Sequence, residues 1–524
     1  MKKFFSLTLV FLLALTTFSA VLGEGVEEFL NGTESGSQKF FIKLKNISFI
    51  NSDNYLADLK NQAEISQKEF LDFLKSERAH NNVKTFWSFN AVSIEADAQL
   101  ISKIAERNDV EKIFFVPEAE LFTSTKPSVF ARTTDGDGLV YALKTMNVDR
   151  AWKDFNIKGR NVKTGVIDTG INHNLAVFNG KIIDRKNFAG VSTATEDTNG
   201  HGTHVAGTVL GGEVDDDLYS LVWGMWWNKV GTFKGKIGVA PEAMLYFAKC
   251  MDDDGKISFD DVITGLEWMA DPDGNPYTKD GARVINASLG ASVSIPELRE
   301  PLANIQKTGT MLVFAAGNSG NKVGSPADFP EIFAIGAVNN NDAKASFSSI
   351  GPASWDGVDY IKPEVMAPGV SVISYYGEKL AGIDGTSMAS PNATGVIALL
   401  LEADPSLTIE KIKSVLKETA LDLGTAGPDN QYGHGRIDAY AALAKVTGKN
   451  TFKSMIYQYD SYRNAIMERS RTLDGKYESE MAYIQLVTRK DELKESIVEY
   501  MNNNNVYQIM AELAEENIDL TELF

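Results

Sequence analysis

The stretch Gly385-Thr386-Ser387-Met388-Ala389-Ser390-Pro391 runs directly into the apolar segment 393–401. A serine close behind a glycine, where an irregular segment becomes a helix, can hold its hydroxyl clear of the backbone and near the positive end of the helix dipole. The same placement suits a helix cap, because serine and threonine accept hydrogen bonds from the N–H groups of a first turn. Ser387 is therefore a candidate nucleophile only if a base, an orienting acid and an oxyanion donor occur elsewhere in the chain.

The composition indicates a globular protein with a large core. The chain has 524 residues, of which 44% are hydrophobic, which predicts two or three domains. Its formal net charge of -19 and the lack of any block of Lys and Arg argue against nucleic acid as a partner. Cys250 is the single cysteine, which excludes an intramolecular disulfide framework and disfavours metal–thiolate sites. It lies in an apolar stretch, where buried thiols are usually inert.

Residues 1–23 have the pattern of a secretory signal peptide. Lys2 and Lys3 precede the apolar run 4–15, and small residues follow at Ser19, Ala20 and Gly23. A membrane anchor would need about 20 apolar residues, more than this run contains. Because no later window is apolar enough to span a membrane, we expect the mature protein to be secreted or to lie outside the cytoplasmic membrane.

Short strand and helix patterns alternate between residues 38 and 121 and predict a separate α+β unit. The predicted segments are 39–43, 54–76, 86–94, 98–107 and 110–116. The linker 123–138 that follows is rich in Ser, Thr, Pro, Asp and Gly and has no periodicity. Such a linker is a natural place for a proteolytic cut.

Apolar strand patterns alternate with helical patterns from residue 161 to about 445, which predicts an α/β domain with a parallel sheet covered by helices. Catalytic groups are expected at the carboxyl ends of such strands. The predicted segments are 162–167, 202–210, 244–249, 259–269, 284–286, 295–308, 311–315 and 332–338.

The last segment, 451–524, has apolar residues at helical spacing among many charges. It predicts two to four amphipathic helices with interruptions near Asp474-Gly475 and 502–505. Such helices either pack on the preceding domain as a cap or bind a partner, and the pattern leaves both open.

Asp168 ends the apolar strand pattern of Val166-Ile167-Asp168-Thr169-Gly170. A carboxylate at that position is costly unless it accepts hydrogen bonds. By itself the Asp-Thr-Gly sequence also fits an ordinary turn.

Two histidines occur in Asn199-Gly200-His201-Gly202-Thr203-His204-Val205-Ala206-Gly207. We disfavour a metal site, because the glutamate of the His-Glu-x-x-His pattern and a third ligand are missing. His201, between two glycines at a predicted helix start, is the better candidate for a general base. His204 faces the helix body and is predicted to be structural.

Asn318 follows an apolar strand in Val313-Phe314-Ala315-Ala316-Gly317-Asn318-Ser319-Gly320. An amide at a strand end, with glycines on both sides, can donate to an oxyanion. Taken alone, this stretch favours an ordinary turn.

Asp168, His201 and Ser387, in that chain order, resemble the catalytic triad of the subtilisin-like serine proteases, the subtilases or peptidase family S8. The Asp-His-Ser order separates that family from the chymotrypsin-like and α/β-hydrolase enzymes. The resemblance covers about residues 149–445 and implies a three-layer α/β fold with a mainly parallel central sheet. Further matching stretches are Val284-Ile285-Asn286-Ala287-Ser288-Leu289-Gly290, Ala345-Ser346-Phe347-Ser348-Ser349 and Lys362-Pro363-Glu364-Val365-Met366-Ala367-Pro368-Gly369.

The resemblance implies the role of each site residue. Ser387 would attack the peptide carbonyl, His201 would carry its proton to the leaving amine, and Asp168 would hold the imidazole. Asn318 and the Ser387 N–H would form the oxyanion hole. This chemistry needs no cofactor.

The resemblance also implies a substrate cleft. The backbone of Ser288, Leu289 and Gly290 would pair with an extended peptide substrate. Gly317 and Gly324 would flank the pocket for the residue before the cut. No charged residue is expected in that pocket, so we predict a preference for large apolar or aromatic side chains.

The α+β unit resembles the inhibitory propeptide of the same family, which assists folding and blocks the cleft until it is removed. This implies a signal peptide at 1–23, a propeptide at 24–125, a catalytic domain at 126–448 and a helical extension at 449–524. The cut would fall between about Leu121 and Gly138. The alternative is a permanent accessory domain.

Two features depart from the family pattern. The serine helix continues with Asn392-Ala393-Thr394-Gly395 where family members usually have His-Val-Ala-Gly. The segment after His201 is also longer than usual, and it contains acidic and aromatic residues, namely Asp215, Asp216, Asp217, Trp223, Trp226, Trp227 and Phe233.

A calcium-binding loop often lies at this position in the family, so Asp215, Asp216 and Asp217 are candidate ligands. Asn174 replaces the usual aspartate partner, so a solvated acidic turn fits equally well. The tryptophans would either border the cleft or, as we favour, pack an inserted hairpin.

Overall fold

The chain is described here from a computed structural model, in which two compact units are found, Met1–Val116 and Pro117–Phe524. Each unit has its own apolar core. The structure describes residues 20–32, 36–47, 53–79, 82–121, 138–190, 195–222, 226–251, 256–472, 481–504, 506, 509–510, 513 and 518. The apolar run of the predicted signal peptide and nearly all of the predicted linker lie outside these residues.

The first unit is a five-stranded sheet with helices, as predicted for an α+β unit. The strand order is β1-β5-β2-β4-β3, and only the β1–β5 pair is parallel. Its elements are β1 (Val21–Leu22), α1 (Val26–Asn31), β2 (Gln38–Leu44), α2 (Tyr55–Ser76), β3 (Lys84–Phe86), β4 (Ala91–Ala96), α3 (Ala98–Ala105) and β5 (Val110–Phe115).

The sequence prediction for this unit misses one turn. Residues 86–94 were expected to form one strand, whereas the chain turns after Phe86 and returns from Ala91 as β4. Asn90 completes the turn with a φ of 49°, a conformation that asparagine tolerates better than most residues. Trp87 and Phe89 lie within this turn. Because aromatic residues are common in strands, the sequence pattern predicts a strand here instead of a turn.

The second unit contains the predicted α/β domain. Its strands are β6 (Glu118–Leu121), β7 (Lys163–Asp168), β8 (Ile182–Asn187), β9 (Glu213–Val222), β10 (Trp226–Lys236), β11 (Met244–Lys249), β12 (Ile257–Ser258), β13 (Val284–Ala287), β14 (Leu289–Gly290), β15 (Met311–Ala315), β16 (Phe333–Val338), β17 (Ala353–Trp355), β18 (Val358–Tyr360), β19 (Val365–Pro368), β20 (Val372–Tyr376) and β21 (Lys379–Ile383). Its α-helices are α4 (Tyr141–Thr145), α5 (Val148–Phe155), α6 (His201–Leu210), α7 (Phe259–Ala270), α8 (Arg299–Lys307), α9 (Thr386–Ala403), α10 (Ile409–Thr419), α11 (Ala439–Thr447), α12 (Thr451–Thr472) and α13 (Met481–Asn503). Two 3₁₀ turns lie at Ala176–Phe178 and Pro296–Leu298.

A seven-stranded parallel sheet forms the centre of this unit, in the order β19-β16-β15-β13-β7-β11-β8. Every residue of β13, β15, β16 and β19 is buried. Burial on both faces explains why these strands are continuous apolar runs instead of alternating ones. The α/β prediction is confirmed.

Helix α9 is buried along most of its length, since all of its residues from Thr386 to Leu401 are buried. It packs against β13, β15, β16 and β19 on one side and contacts α6 and α11. The parallel strands β7, β13 and β15 are neighbours. Asp168, Ser288 and Asn318 therefore emerge at the same edge of the sheet, where parallel sheets place their functional groups.

The long segment after His201 forms the predicted hairpin. Strands β9 and β10 pair antiparallel, and β9 also pairs with β21, giving a second sheet in the order β10-β9-β21-β20. Val214, Leu218 and Phe233 are buried in the main core. The hairpin thus extends the sheet that contains β20 and β21, and β21 is the strand that precedes α9.

The C-terminal helices α12 and α13 belong to the same compact unit as the catalytic domain. Ile456, Tyr457 and Tyr459 are almost completely buried in its main core, and Arg150 forms an ion pair of 2.7 Å with Asp460. This packing favours the cap over a separate partner-binding arm. None of the described helices is long and apolar enough to cross a membrane.

Candidate active site

Asp168 and His201 form a buried pair. Asp168 Oδ1 lies 2.6 Å from His201 Nδ1, and both side chains are fully buried. Asp168 Oδ1 also accepts the Thr169 N–H at 2.8 Å. Within the described part of the chain, His201 Nε2 is buried without a hydrogen-bond partner. A carboxylate on one nitrogen and a vacant second nitrogen are what a general base requires.

The first turn of α6 is held by side chains from the preceding loop and from Thr169, the residue that follows β7. The N–H groups of His201, Gly202 and Thr203 donate to Asn199 Oδ1, Thr169 Oγ1 and Asp197 Oδ2 at 3.3, 2.9 and 2.8 Å. A helix leaves these N–H groups unsatisfied unless side chains accept from them. His201 therefore sits on a fixed helix end and not on a loose loop.

Ser387 lies in the first turn of α9, at the position that the sequence predicts. Its hydroxyl donates to the carbonyl of Ser288 at 3.1 Å. Since His201 Nε2 has no partner, transfer of the Ser387 proton to that nitrogen requires the hydroxyl to turn away from Ser288. Helices α6 and α9, which carry the two residues, pack against each other.

Asn318 is oriented by Thr386, the residue before the candidate nucleophile. Asn318 Oδ1 accepts from the Thr386 N–H at 3.0 Å and from the Thr386 hydroxyl at 2.8 Å. Because both bonds go to Oδ1, the Asn318 amide is held with its NH₂ group directed away from Thr386. This orientation supplies a donor of the kind that an oxyanion hole needs.

The Leu289–Gly290 edge predicted to bind substrate is occupied by the chain itself. Strand β6 pairs antiparallel with β14, with Leu121 opposite Leu289 and Glu120 opposite Gly290. On its other side β6 pairs with β12, where Ala119 lies opposite Ile257. An extended segment therefore lies between two edges, in the manner of a peptide held by strand addition.

Gly317 and Gly324 have backbone roles. Gly317 has a φ of 105° and donates its N–H to Thr386 Oγ1 at 3.2 Å. A Cβ at Gly324 would lie 2.1 Å from the carbonyl oxygen of Ala291, so no larger residue fits there. The adjacent Ser325 carbonyl accepts the Ala291 N–H at 2.7 Å. Gly324 thus joins two backbone segments, and the prediction that it borders a substrate pocket stays a prediction.

His204 and Cys250 are buried, as the sequence predicts. His204 Nε2 donates to the carbonyls of Val372 and Ala381 at 2.9 and 3.2 Å. Burial lowers the pKa of His204 to about 3, and the nearby His201 adds to the effect. The Cys250 thiol donates to the Asp261 carbonyl at 3.3 Å.

The three aspartates of the hairpin do not share a site. Asp215 pairs with Lys234 and Asp217 with Lys229, each at 2.7 Å. Asp216 projects from the opposite face of β9, because side chains alternate along a strand, and it accepts the Tyr375 hydroxyl at 3.0 Å. Of the two alternatives for Asp215, Asp216 and Asp217, their placement favours the solvated acidic turn over a shared calcium site.

One group of carboxylates comes together elsewhere in the described residues. Oxygen atoms of Asp271, Asp273 and Asp280 lie within 4.8 Å of one another. The Thr278 hydroxyl bonds both Asp273 and Asp280 at 3.1 Å. This loop is the one place in the described structure where such a group could hold a cation.

The tryptophans of the hairpin are only partly described. Trp223 and the side chain of Trp226 lie outside the described residues. The Trp227 ring lies 5.8 Å from the ring of Tyr376, measured between centroids. Phe233 is buried in the core.

The unusual residues of the serine helix are satisfied by hydrogen bonds. Asn392 Nδ2 donates to the carbonyls of Pro368 and Met388 at 3.0 and 3.1 Å. Thr394 Oγ1 lies 3.3 Å from Asn286 Oδ1. The departure from His-Val-Ala-Gly therefore changes the packing of the helix core and not the candidate triad.

Asp197 and Thr386 were not identified from the sequence. Asp197 accepts hydrogen bonds from Thr169, Gly200 and Thr203. An acidic residue a few positions before a helix start is a capping signal that could have indicated it. Thr386 has no comparable signal, because its partner Asn318 lies 68 residues away.

Comparison with known proteins agrees with this geometry. The Subtilase family matches residues 159–435. Over 308 residues the chain is 36% identical to subtilisin DY of Bacillus licheniformis, covering 58% of this chain and 97% of that protein. It is 29% identical over 431 residues to bacillopeptidase F of Bacillus subtilis, covering 75% of this chain and 28% of that longer protein.

A third relative is the minor extracellular protease Epr of Bacillus subtilis, which is 30% identical over 379 residues. The match covers 68% of this chain and 52% of that protein, so the chain spans about half or less of the two longer relatives. The family match includes more than half of the chain, and the match to subtilisin DY includes nearly all of that protein. The chain belongs to the subtilase family of serine-type endopeptidases.

Proposed function

We propose that the chain is a secreted serine endopeptidase made as a zymogen, which cleaves peptide bonds through an acyl-enzyme. The observation that carries this proposal is the buried Asp168–His201 pair, with a vacant Nε2, on helix α6, which packs against α9, the helix whose first turn contains Ser387. Asp168, His201 and Ser387 are assigned as acid, base and nucleophile.

The reaction follows from these positions. Ser387 Oγ forms a bond to the carbonyl carbon of the substrate, while His201 Nε2 takes the hydroxyl proton. The imidazolium is stabilised by Asp168 and gives the proton to the leaving amine as the C–N bond breaks. Water then attacks the acyl-enzyme by the same route, releasing the acid and restoring Ser387.

Two donors, the Asn318 amide and the Ser387 N–H, are assigned to stabilise the negative charge that develops on the carbonyl oxygen. The bonds from Thr386 hold the Asn318 amide in place before the substrate arrives. A donor that is already oriented costs no reorganisation at the moment of reaction.

The proposed inhibition by the N-terminal region is supported by β6. Residues 118–121 pair with the Leu289–Gly290 edge that would otherwise bind an extended substrate. Ala119 is buried between its neighbours. A peptide substrate could add to this edge only after β6 has left it.

The register of β6 also predicts where the chain is cut. Leu121, the last residue of β6, lies opposite Leu289, and the residue before Leu289 is Ser288, whose carbonyl accepts the Ser387 hydroxyl. Residue 122 is a phenylalanine that lies outside the described residues. We expect self-cleavage between Phe122 and Thr123, with a large apolar residue before the cut.

Secretion is proposed from the signal-peptide pattern and is in keeping with a relative named as an extracellular protease. Val21 and Leu22 form β1 and pair with Lys112 and Ile113 of β5. A signal peptidase cut after Gly23 would remove this strand. We therefore expect the cut to lie before Val21.

The test is to express the chain from Ala20 onward and compare it with Ser387→Ala. The unchanged chain should release a fragment that begins at Thr123, identified by mass spectrometry, while Ser387→Ala remains intact. Equal processing of both chains would contradict the proposal, as would an unprocessed chain that cleaves no protein substrate.

A further inference from the structure

The turn that precedes the catalytic histidine is held by a tyrosine from a distant part of the chain. The Tyr376 hydroxyl donates to Asn199 Oδ1 at 3.0 Å, and the same oxygen accepts the His201 N–H at 3.3 Å. Two hydrogen bonds therefore connect Tyr376 to the backbone of His201 through one atom.

The Tyr376 ring also packs against this turn. A Cβ added at Gly200 would lie 2.4 Å from Tyr376 Cδ1 and 3.0 Å from the backbone nitrogen of Gly377. Gly200 has a φ of 102°, which disfavours any other residue. The ring thus occupies the space of the missing side chain and limits movement of the residue next to His201.

The inserted hairpin supports Tyr376 from the other side. The Trp227 ring of β10 lies 5.8 Å from the Tyr376 ring, with an angle of 50° between their planes. Aromatic pairs at such distances attract each other. The hairpin is itself attached to this strand, because the neighbouring Tyr375 donates to Asp216 of β9 at 3.0 Å.

The hydroxyl of Tyr376 remains protonated, and so able to donate, at neutral and mildly alkaline pH. Burial raises the pKa of Tyr376 to about 12, and the negative charges of Asp197 and Asp168 contribute to the same effect. The bond to Asn199 therefore does not depend on the state of the base that it helps to hold.

We propose that Tyr376 is a positioning residue for His201 and that Trp227 of the inserted hairpin supports it. This inference rests on the proposed function of His201 as the general base. Tyr376 acts on the histidine through Asn199 and Gly200 and does not itself touch the reacting atoms. The hairpin would thus be part of the catalytic apparatus, although it contributes no residue to the triad.

The test is Tyr376→Phe, which keeps the ring and removes only the hydroxyl. We measure the rate at which a fluorophosphonate labels Ser387 and the kcat and KM for two peptide substrates. One substrate has residues on the leaving side of the bond, and the other has only a p-nitroanilide there. We expect labelling and kcat on both substrates to fall on the order of tenfold, since small misplacements of a catalytic group are costly, with KM nearly unchanged.

The matched control is Tyr246→Phe, which loses a hydrogen bond of the same length, to the Asp280 carbonyl and not to the hairpin or the histidine turn. It should keep labelling and kcat within about twofold, because the lost bond contacts neither Asn199 nor Gly200. A second variant, Trp227→Leu, should lower the labelling rate in the same direction as Tyr376→Phe. The two changes together should lose less than the product of the separate losses, because they act on one contact.

Three results would overturn the proposal: full labelling of folded Tyr376→Phe, an equal loss in Tyr246→Phe, or a loss confined to the substrate with leaving-side residues. The last result would mean that Tyr376 binds substrate. Failure of the proposed function is distinguishable, since then the unchanged enzyme would not be labelled at all. Every rate refers to folded, processed enzyme quantified by intact mass spectrometry, so a variant that processes slowly is still measured.

Discussion

Pro391 explains why the side chain of Ser288 matters to the candidate nucleophile. A proline inside a helix has no N–H to give to the carbonyl four residues earlier, which here is the carbonyl of Ser387. The Ser288 hydroxyl donates to that carbonyl at 3.0 Å. The same residue therefore binds the nucleophile twice, through its hydroxyl and through its carbonyl.

Ser288→Ala should lower the free energy of unfolding by about 1–3 kcal/mol, because it removes a buried hydroxyl that donates to the Ser387 carbonyl at 3.0 Å and accepts from Asn286 Nδ2 at 2.9 Å. The matched control is Ser374→Ala, since the Ser374 hydroxyl is equally buried and has no partner among the described residues. Denaturant unfolding in the Ser387→Ala background avoids self-digestion. Equal stability of the two alanine variants would contradict this role of Ser288.

Asn318→Ala should reduce kcat by about 10²–10³-fold with little change in KM, the range found when a subtilisin loses one oxyanion donor. Thr386→Val should reduce kcat less, because it removes one of the two bonds to Asn318 Oδ1 and keeps the backbone bond. Steady-state kinetics on a p-nitroanilide peptide measures both. A variant of Asn318 that keeps full kcat would exclude the assigned role.

His204 should remain neutral well below the pH at which histidine usually titrates. Its Nε2–H donates to two carbonyls, and a proton on Nδ1 would be buried without a partner among the described residues. The pKa is lowered to about 3 in the folded state, against about 6.5 in an unfolded chain.

The sign of this effect on stability follows. Below about pH 6.5 His204 is protonated in the unfolded chain but not in the folded chain. The contribution of neutral His204 to the free energy of unfolding is therefore complete above pH 6.5 and is lost as the pH falls toward 3. The loss amounts to at most about 1.4 kcal/mol per pH unit. Histidine-selective NMR of Ser387→Ala should show no titration of His204 between pH 8 and 4.5. A midpoint near 6.5 would contradict the burial argument.

At the residue scale, sequence motifs identify the residues that are assigned to the reaction itself, but they do not identify the residues that position these side chains. Asp168, His201, Asn318 and Ser387 each lie in a recognisable local sequence. Tyr376 does not, because its partner Asn199 is 177 residues away and the contact exists only after folding.

At the scale of elements, buried strands are predicted well because their composition reflects burial on both faces. The predicted segments 244–249 and 311–315 coincide with β11 and β15. The turn before β4 and the 3₁₀ start of the helix predicted at 295–308 were missed. Both are local changes of backbone geometry, which the spacing of apolar residues along a segment does not reveal.

The hairpin gives a prediction about calcium at this scale. Asp215 and Asp217 are paired with lysines on an exposed face. We therefore expect calcium to shift the melting temperature of the double variant Asp215→Asn with Asp217→Asn by the same amount as that of the unchanged protein. Differential scanning fluorimetry with calcium and with EDTA measures this. Loss of a calcium shift only in the double variant would contradict this and would favour Asp215 and Asp217 as calcium ligands.

At the scale of the whole molecule, an amphipathic pattern shows that a helix has an apolar face but not what covers it. This is why the packing of α12 and α13 on the catalytic unit could not be predicted. Phe452, Ile456, Tyr457 and Tyr459 are almost fully buried. Each such side chain stabilises the fold by about 1.5–3 kcal/mol, so together they rival the stability of a typical domain.

Ile456→Ala in the full chain should therefore cost about 2–5 kcal/mol of unfolding free energy, and a chain that ends at residue 449 should melt lower still or fail to accumulate. Met467→Ala, at an exposed position of the same helix, is the control and should be nearly neutral. Denaturant unfolding in the Ser387→Ala background measures the two substitutions. A truncated chain with unchanged melting temperature would show that the helices are dispensable for the fold.

The central claim is that Ser387, activated by His201, is the nucleophile. The most direct measurement is to treat the processed enzyme with a fluorophosphonate and locate the adduct by peptide mass spectrometry. The adduct should lie on Ser387 and should be lost in Ser387→Ala and in His201→Ala. An adduct on another residue, undiminished labelling of His201→Ala, or no labelling of the processed enzyme would contradict the account.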